Sequence, residues 1–362
     1  MRAKQNKPAR AAAGGERALL ARIRERARGS GSPPGIRLGI GDDCALLRAR
    51  PGEEFAVTTD LSIAGRHFRL DAHPPEAVGH RTLARGLSDL AAMGARPLAA
   101  FLSLGLPREL TRAHGRGRAW VERFMDGLMA LAESTGTPLA GGDLAESPLA
   151  VADIVLVGAV PRGRALLRSG ARPGDGIYVT GALGGSAAGL ERLMEIAGLR
   201  SNTAGRGRTA PTRNAPTGNA PTGNAPLAPH LFPQPRLAQG LFLQRRGVAT
   251  AALASAAIDL SDGLSTDLAH LCEESGVAAE VEAARLPISF GATLEQALNG
   301  GEDYELLFTA KPEAKLPRAI GGIPITRIGR MVRAGSRKPR VQLKTAQGHQ
   351  PLEAKGWEHF SG

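Results

Sequence analysis

Phe55-Ala-Val-Thr-Thr-Asp60 is an alternating run with β-branched residues that feeds straight into a carboxylate. The pattern predicts a strand over 55–59, with Asp60 at its end beside two hydroxyls that offer further oxygen ligands. Five other acidic motifs lie along the chain: Gly41-Asp-Asp43, Ser88-Asp-Leu90, Gly141-Gly-Asp143, Asp259-Leu-Ser-Asp262 and Gly300-Gly-Glu-Asp303. Each has a structural explanation when taken singly. Asp42 and Asp43 suit an Asx-turn, Asp89 and Asp262 suit helix ends, and Asp143 suits a Gly-Gly turn. Their joint occurrence points to chemistry. Asp holds its charge on a short stem and glycine permits close backbone approach, so converging loops of this kind make a pocket for a hard cation such as Mg²⁺. Without a cation, converging carboxylates repel and take raised pKa values. Because Mg²⁺ is usually held by one or two carboxylates plus phosphate oxygens, a nucleotide polyphosphate is the expected third party.

The chain has 362 residues, enough for two domains of ordinary size. Hydrophobic residues make up 42%, and no apolar run is long enough to span a bilayer. With no secretory signal either, a soluble cytoplasmic protein is expected. Cys44 and Cys272 are too few for a disulfide framework or a zinc cluster. The net charge of +12 would suggest nucleic acid if it covered a folded face. It does not: residues 1–37 hold ten Lys or Arg against Glu16 and Glu25, and residues 198–229 hold Arg200, Arg206, Arg208 and Arg213 with no acid. With 4% aromatics there is also little to stack on single strands, so nucleic acid is not an expected partner.

Residues 1–15 read as a disordered basic arm, and 16–27 as a helix with Leu19, Leu20 and Ile23 on one side. Residues 36–40 read as a strand. Leu83, Leu87, Leu90 and Ala91 predict a helix over 77–93 that carries Ser88 and Asp89; Trp120, Phe124, Leu128 and Leu131 predict another, closed by Gly136. Strands are expected at 138–140 and 149–160, flanking the Gly-Gly-Asp turn. After the turn at 172–175 come a strand at 176–180, a Gly-rich turn at 181–186 and a helix through Ile196. Asn-Ala-Pro-Thr-Gly occurs at 214–218 and again at 219–223, within a low-complexity insert at 199–229 that cannot bury a core. A helix after Pro235, a strand at 256–260, a helix ended by Gly276 and a strand alternating Tyr304, Leu306 and Phe308 complete the expected elements.

The P-loop and protein-kinase motifs are absent from the sequence. The Gly181–Ser186 turn offers backbone N–H groups to phosphate, or serves tight strand-to-helix packing. Arg168 is a candidate partner for a triphosphate. His67 and Trp357 qualify as ligands only if their segments line the pocket.

Eight ordered strings resemble one family, thiamine-monophosphate kinase, in the superfamily of aminoimidazole ribonucleotide synthetase and selenophosphate synthetase. They are GIGDDCALL (39–47), TTDLSIAGRHF (58–68), LSDLAAMGARP (87–97), GGDL (141–144), LLRSGARPGDGIYVTGALGGSAAGL (166–190), AIDLSDGLSTDLAHL (257–271), LNGGEDYELLFT (298–309) and GWEHF (356–360). The likeness spans about residues 16–362 apart from the insert. It implies an α/β (α+β) fold of two domains: a metal- and ATP-binding sheet domain at 16–160 that forms a homodimer, and an α/β layer domain at 161–362. It further implies ATP-dependent phosphorylation of thiamine monophosphate to thiamine diphosphate by in-line transfer with several Mg²⁺ ions and no dedicated catalytic side chain. Matched position by position, Asp43, Thr58, Thr59, Asp60, Asp89, Asp143, Asp259 and Asp262 would bind metal. Gly142, Asp143, Arg168 and Ser261 would contact ATP, and His67, Glu302 and Trp357 would contact the thiamine phosphate. Two positions depart from the family's usual residues: Gly86 replaces Asn and Leu144 replaces Thr, each removing a hydrogen-bonding group. The alternatives are another ATP-using activity of the superfamily, or a non-catalytic protein that binds Mg-nucleotide or thiamine diphosphate.

Overall fold

A computed structural model of the chain describes residues 16–27, 35–40, 44–113, 118–199, 226–245, 253–335 and 340–357. The basic arm at 1–15, Asp42 and Asp43, and positions 200–225 of the insert lie outside the described residues. In the first half, α1 (Glu16–Ala27) precedes a short strand pair, β1 (Ile36–Leu38) and β2 (Leu46–Leu47). Then come β3 (Glu53–Ile63), α2 (Pro75–Ala92), β4 (Arg96–Leu106), α3 (Trp120–Thr135), β5 (Leu139–Glu146) and β6 (Val151–Pro161). The four long strands form a sheet in the order β3-β6-β4-β5. β4 and β5 run parallel, with α3 as their crossover, and the other two pairs are antiparallel.

Several expectations change here for one reason: partner strands extend what local pattern would end. β3 pairs with β6 from Glu53 opposite Pro161 to Ile63 opposite Val151, so Asp60 lies inside a strand and not at its end. Gly141-Gly-Asp143 is likewise no turn, since parallel pairing to β4 holds it within β5. A Cβ on Gly142 would stand 1.9 Å from the Leu102 carbonyl oxygen, which is why that strand needs glycine. Leu20 is exposed, whereas Leu19 and Ile23 pack inward. Gly136 and Gly276 close their helices in the left-handed conformation, as their positions predict.

The second half contains β7 (Gly176–Thr180), α4 (Gly185–Ile196), α5 (Ala228–Leu231), α6 (Leu237–Gln244), β8 (Ala256–Asp259) and α7 (Leu264–Ser275). It continues through β9 (Val277–Glu282), α8 (Leu294–Asn299), β10 (Leu306–Ala310), β11 (Ala319–Ile320), β12 (Ile323–Arg333), β13 (Val341–Thr345) and β14 (Gly348–Pro351). The strand order is β14-β13-β9-β12-β7-β10-β8, with β11 added to β12. β10 is buried on both faces, Leu307 in one core and Leu306 with Phe308 in the other. Tyr304 precedes this strand at φ 51°, so the expected alternation does not reach it. The fold is of the expected mixed class, with two large sheets, the small β1–β2 pair and packed helices among the described residues. Among the described residues no helix is long and apolar enough to cross a membrane.

α2 joins the halves. Fifteen of its eighteen residues are buried, so it has no solvent face to spare for polar side chains. Leu83, Leu87 and Leu90 enter the first core, while Ala91 and Ala92 enter a second with Leu243 and Phe308. The approach of α3 depends on missing side chains: a Cβ on Gly79 would lie 1.9 Å from Phe124 O, and one on Gly127 1.8 Å from Glu76 O. Gly127→Ala should therefore destabilise the protein by about 1–3 kcal/mol through overpacking, although alanine is the better helix former by about 1 kcal/mol. Denaturant unfolding measures this; an unchanged or raised unfolding free energy would show that α2 and α3 separate without cost.

Candidate active site

Alternation along β3 sorts its residues between two faces. Thr58, Asp60 and Ser62 face α2, while Phe55, Val57, Thr59 and Leu61 face away. α2 answers with Arg81, Arg85 and Asp89, four residues apart and so stacked on one side. Arg85 Nη2 lies 2.8 Å from Asp60 Oδ1, and Thr58 Oγ1 donates to Asp89 Oδ2. From the second sheet, β8 delivers Asp259, and the loop before α7 delivers Ser261 and Asp262. Asp60, Asp89, Asp259, Ser261 and Asp262 line a cavity of about 770 Å³.

Positive charge is short around these carboxylates. Burial pushes the Asp60 carboxyl up against the pull of Arg85, and Asp153 and Glu302 add to the rise. Burial also raises Asp89; the Thr58 hydrogen bond opposes it and Asp60 reinforces it. Asp259, 4% exposed, is pushed up to about 7 by burial and then by the charge of Asp89. Buried, mutually repelling carboxylates with only oxygen donors around them fit the ligand chemistry of Mg²⁺.

His67, Glu302 and Trp357 line the same cavity. Glu302 has φ 64°, a conformation that costs a non-glycine residue about 1–3 kcal/mol. Its amide donates to Ser261 O at 2.8 Å, and Arg81 Nη2 lies 2.6 Å from its Oε1. Burial pushes the Glu302 carboxyl up, but Arg81 and Arg85 outweigh it and hold the group below its ordinary value. The Ile63 amide donates to His67 Nδ1 at 3.1 Å and sets the ring. Trp357 is stitched to the start of α7: its amide donates to Asp262 O at 3.0 Å, and that of Gly356 to Thr266 Oγ1 at 3.0 Å. The Arg66 guanidinium lies 4.9 Å from the Trp357 ring centre.

Other expected residues lie elsewhere. Thr59 faces away from Asp60 and donates to Asp153 at 2.9 Å. Asp60, Ile154, Leu102 and Gly142 are successive neighbours across the first sheet. Gly142 and Asp143 thus stand three strand spacings from Asp60, about 14 Å. Both line a second cavity of about 720 Å³ with Leu20, Ile23, Phe101 and Leu104. Arg168 is exposed, and its charge pulls Asp89 and Asp259 down. Asp43 lies outside the described residues.

The Gly-rich turn is not open to phosphate, because the amides of Gly184 and Ser186 donate to the Asp303 carboxylate at 2.6 and 3.1 Å. Gly86 points into the first core, where a Cβ would meet Leu156 Cδ1 at 2.8 Å, so its departure from the family pattern does not touch the cavity. Leu144 packs on that core and lines the second cavity. Sequence reading does not single out Arg66, Arg81, Arg85, Ser186 or His230. The four-residue spacing of Arg81, Arg85 and Asp89 is a signal that finds two of these; His230, after the insert, carries none.

Residues 41–160 match the family described as AIR synthase related protein, N-terminal domain. The chain is 41% identical over 362 residues to the thiamine-monophosphate kinase of Escherichia coli strain K12, covering 96% of this chain and 98% of that protein. The crystal structure of thiamine-monophosphate kinase from Stenotrophomonas maltophilia K279a superposes with a TM-score of 0.70 at 36% identity, covering 94% of this chain and 97% of the other. AaThiL complexed with AMPPCP and TMP superposes at 0.68 with 30% identity, covering 96% and 97%. These likenesses run through both sheets, and the chain belongs to the thiamine-monophosphate kinase family.

Proposed function

We propose that this chain transfers the γ-phosphoryl group of ATP to the phosphate of thiamine monophosphate, giving thiamine diphosphate and ADP by in-line displacement. One observation carries this reading: a single cavity is lined both by a cluster of oxygen ligands and by a carboxylate, an imidazole and an indole. The complex of AaThiL with AMPPCP and TMP supports a nucleotide and a thiamine phosphate as its two occupants. Asp43, Thr58, Thr59, Asp60, Asp89, Asp143, Asp259 and Asp262 are the donors for several Mg²⁺ ions. Bound there, Mg²⁺ supplies charge neutralisation for the polyphosphate and its transition state. Gly142 and Asp143 receive the nucleotide, whose base suits the apolar second cavity, while Arg168 and Ser261 hold phosphate oxygens. Ionised Glu302 pairs with the thiazolium cation, Trp357 offers its ring face, and His67 completes the subsite. The acceptor is already an ionised phosphate, so the chain needs no strong general base, only positioning and charge.

Asp143 and Asp60 sit too far apart to share a metal within one copy, which supports a site completed by a second copy. The outer face of the first sheet exposes Phe55 (49%), Val57 (66%) and Leu61 (45%), an apolar surface that a homodimer would cover. The sheet's edges are β3 and β5, so closing two sheets through their outer faces would bring Asp143 of one copy to the Thr59 side of β3 in the other.

Purified protein with Mg-ATP and thiamine monophosphate should form thiamine diphosphate and ADP in equal amounts. ADP only with a different acceptor would indicate another activity of the superfamily, and tight binding without turnover a non-catalytic protein. Asp60→Asn should lower turnover at least about a hundredfold and raise the Mg²⁺ requirement; a near-normal rate removes Asp60 from the metal set. Mixing inactive Asp60→Asn and Asp143→Asn after dissociation should restore about a quarter of wild-type activity if sites are shared between copies. No recovery, with mixed dimers demonstrated, would rule sharing out.

Asp259 makes a pH prediction. Its folded value of about 7 lies above the ordinary carboxylate range, so its contribution to folding is full at low pH and is lost as the pH rises through about 7. In EDTA, Asp259→Asn should melt higher than wild type at pH 8, with the gap closing as the pH falls towards 4. Saturating Mg²⁺ should reverse that order at pH 8, because the wild type gains more metal binding energy. A pH-independent gap would contradict the raised value.

A further inference from the structure

Beside Glu302, a line of hydrogen bonds runs from the backbone to the cavity through two histidines. The Arg69 amide donates to His73 Nδ1 at 3.1 Å, His73 Nε2 lies 3.0 Å from His230 Nε2, and His230 Nδ1 lies 3.0 Å from Ser186 Oγ. His73, His230 and Ser186 are all buried, the last only 1% exposed. Ser186 nonetheless lines the cavity, at the start of α4.

Proton counting assigns each donor. Burial, and then the charge of Arg81, lower both imidazoles, His73 to about 4 and His230 well below its ordinary value. At neutral pH each ring therefore carries one proton. His73 Nδ1 accepts from the Arg69 amide, so the His73 proton sits on Nε2 and occupies the contact between the two rings. That leaves the His230 proton on Nδ1, where it donates to Ser186 Oγ. Arg81 Nη1, also 3.0 Å from His230 Nδ1, donates to the His230 carbonyl oxygen. Ser186 Oγ thus receives one hydrogen bond and keeps its own proton to give.

We propose that Ser186 is a substrate-positioning residue, held by the His73–His230 relay as a hydrogen-bond donor to a ring nitrogen of the substrate's aminopyrimidine. This rests on the thiamine monophosphate reading and adds the group that recognises its second ring. The same wall carries Ala187, Leu190 and Met194, apolar surface that suits an uncharged heteroaromatic ring. Glu302, its Oε2 3.9 Å from His230 Nδ1, stands alongside for the cationic ring. A pyrimidine nitrogen offers a lone pair and no proton, so a donor fixed in direction accepts it and rejects a C–H in its place.

The test compares kcat and KM of wild type and Ser186→Ala with thiamine monophosphate and with two analogues in which CH replaces one or the other pyrimidine nitrogen. Alanine keeps the amide that donates to Asp303 and is at home in a helix, so the variant should fold. Ser186→Ala should raise KM for thiamine monophosphate about tenfold with kcat and the KM for ATP little changed. One analogue should lose a similar factor with wild type and nothing further with the variant. An unchanged KM in Ser186→Ala, or equal analogue penalties in both proteins, overturns the proposal. If wild type gives no turnover, the kinase reading fails, and calorimetric binding of the same three ligands to both proteins decides the donor role separately.

Discussion

Helix α2 is buried against both sheets, and a buried helix that carries charges must find a partner for each of them; an unpaired buried charge costs about 3–5 kcal/mol. Arg81 reaches Glu302 and the His230 carbonyl, Arg85 reaches Asp60, Asp89 accepts from Thr58, and His80 Nε2 lies 2.7 Å from Pro233 O. Those partners come from β3, the 300–304 loop and the segment after the insert. Satisfying one helix therefore assembles the wall of the cavity. Its depth of burial is set by small residues: Gly79 and Gly127 admit α3, and Gly240 admits α6, where a Cβ would stand 1.9 Å from Ala91 O.

The same pairing leaves the carboxylates of the cavity electrostatically unequal. Arg85 does not compensate Asp60, Asp89 and Asp259 fully, and all three stay raised by burial. Arg81, aided by Arg85, more than compensates Glu302, which remains a fixed anion. Asp60, Asp89 and Asp259 thus favour the approach of a cation, whereas Glu302 presents a fixed negative charge. The Gly300-Gly301 pair serves the second purpose sterically. A Cβ on Gly301 would lie 2.5 Å from Ser261 O, so glycine lets the loop press on the 259–262 segment while Glu302 takes its left-handed backbone.

Helices closed by glycine, such as α3 and α7, were legible because capping is local. So was β7, bounded by a turn and a Gly-rich segment. β3 and β5 were read too short because their polar stretches stay extended only by pairing with strands distant in sequence. Among the expected site residues, Asp60, Asp89, Asp259, Ser261, Asp262, His67, Glu302 and Trp357 line one cavity. Thr59 and Asp143 do not, since strand alternation turns the first away and strand order puts the second at the far edge. Gly86 raised a concern about lost hydrogen bonding that its contact with Leu156 removes.

By itself the sequence determined which carboxylates and ring side chains were available, the helices around them and the family they belong to, because those properties reside in short ordered strings. Only the tertiary structure decided which groups meet. Arg81 and Glu302 are 221 residues apart, Arg81 and His230 are 149 apart, and no local pattern couples them. Tertiary structure also spent the amides of the Gly-rich turn on Asp303 and set Ser186 in the cavity wall. The physical reason is that burial and hydrogen-bond satisfaction are properties of the packed chain, whereas charge and conformational preference belong to each residue wherever it lies.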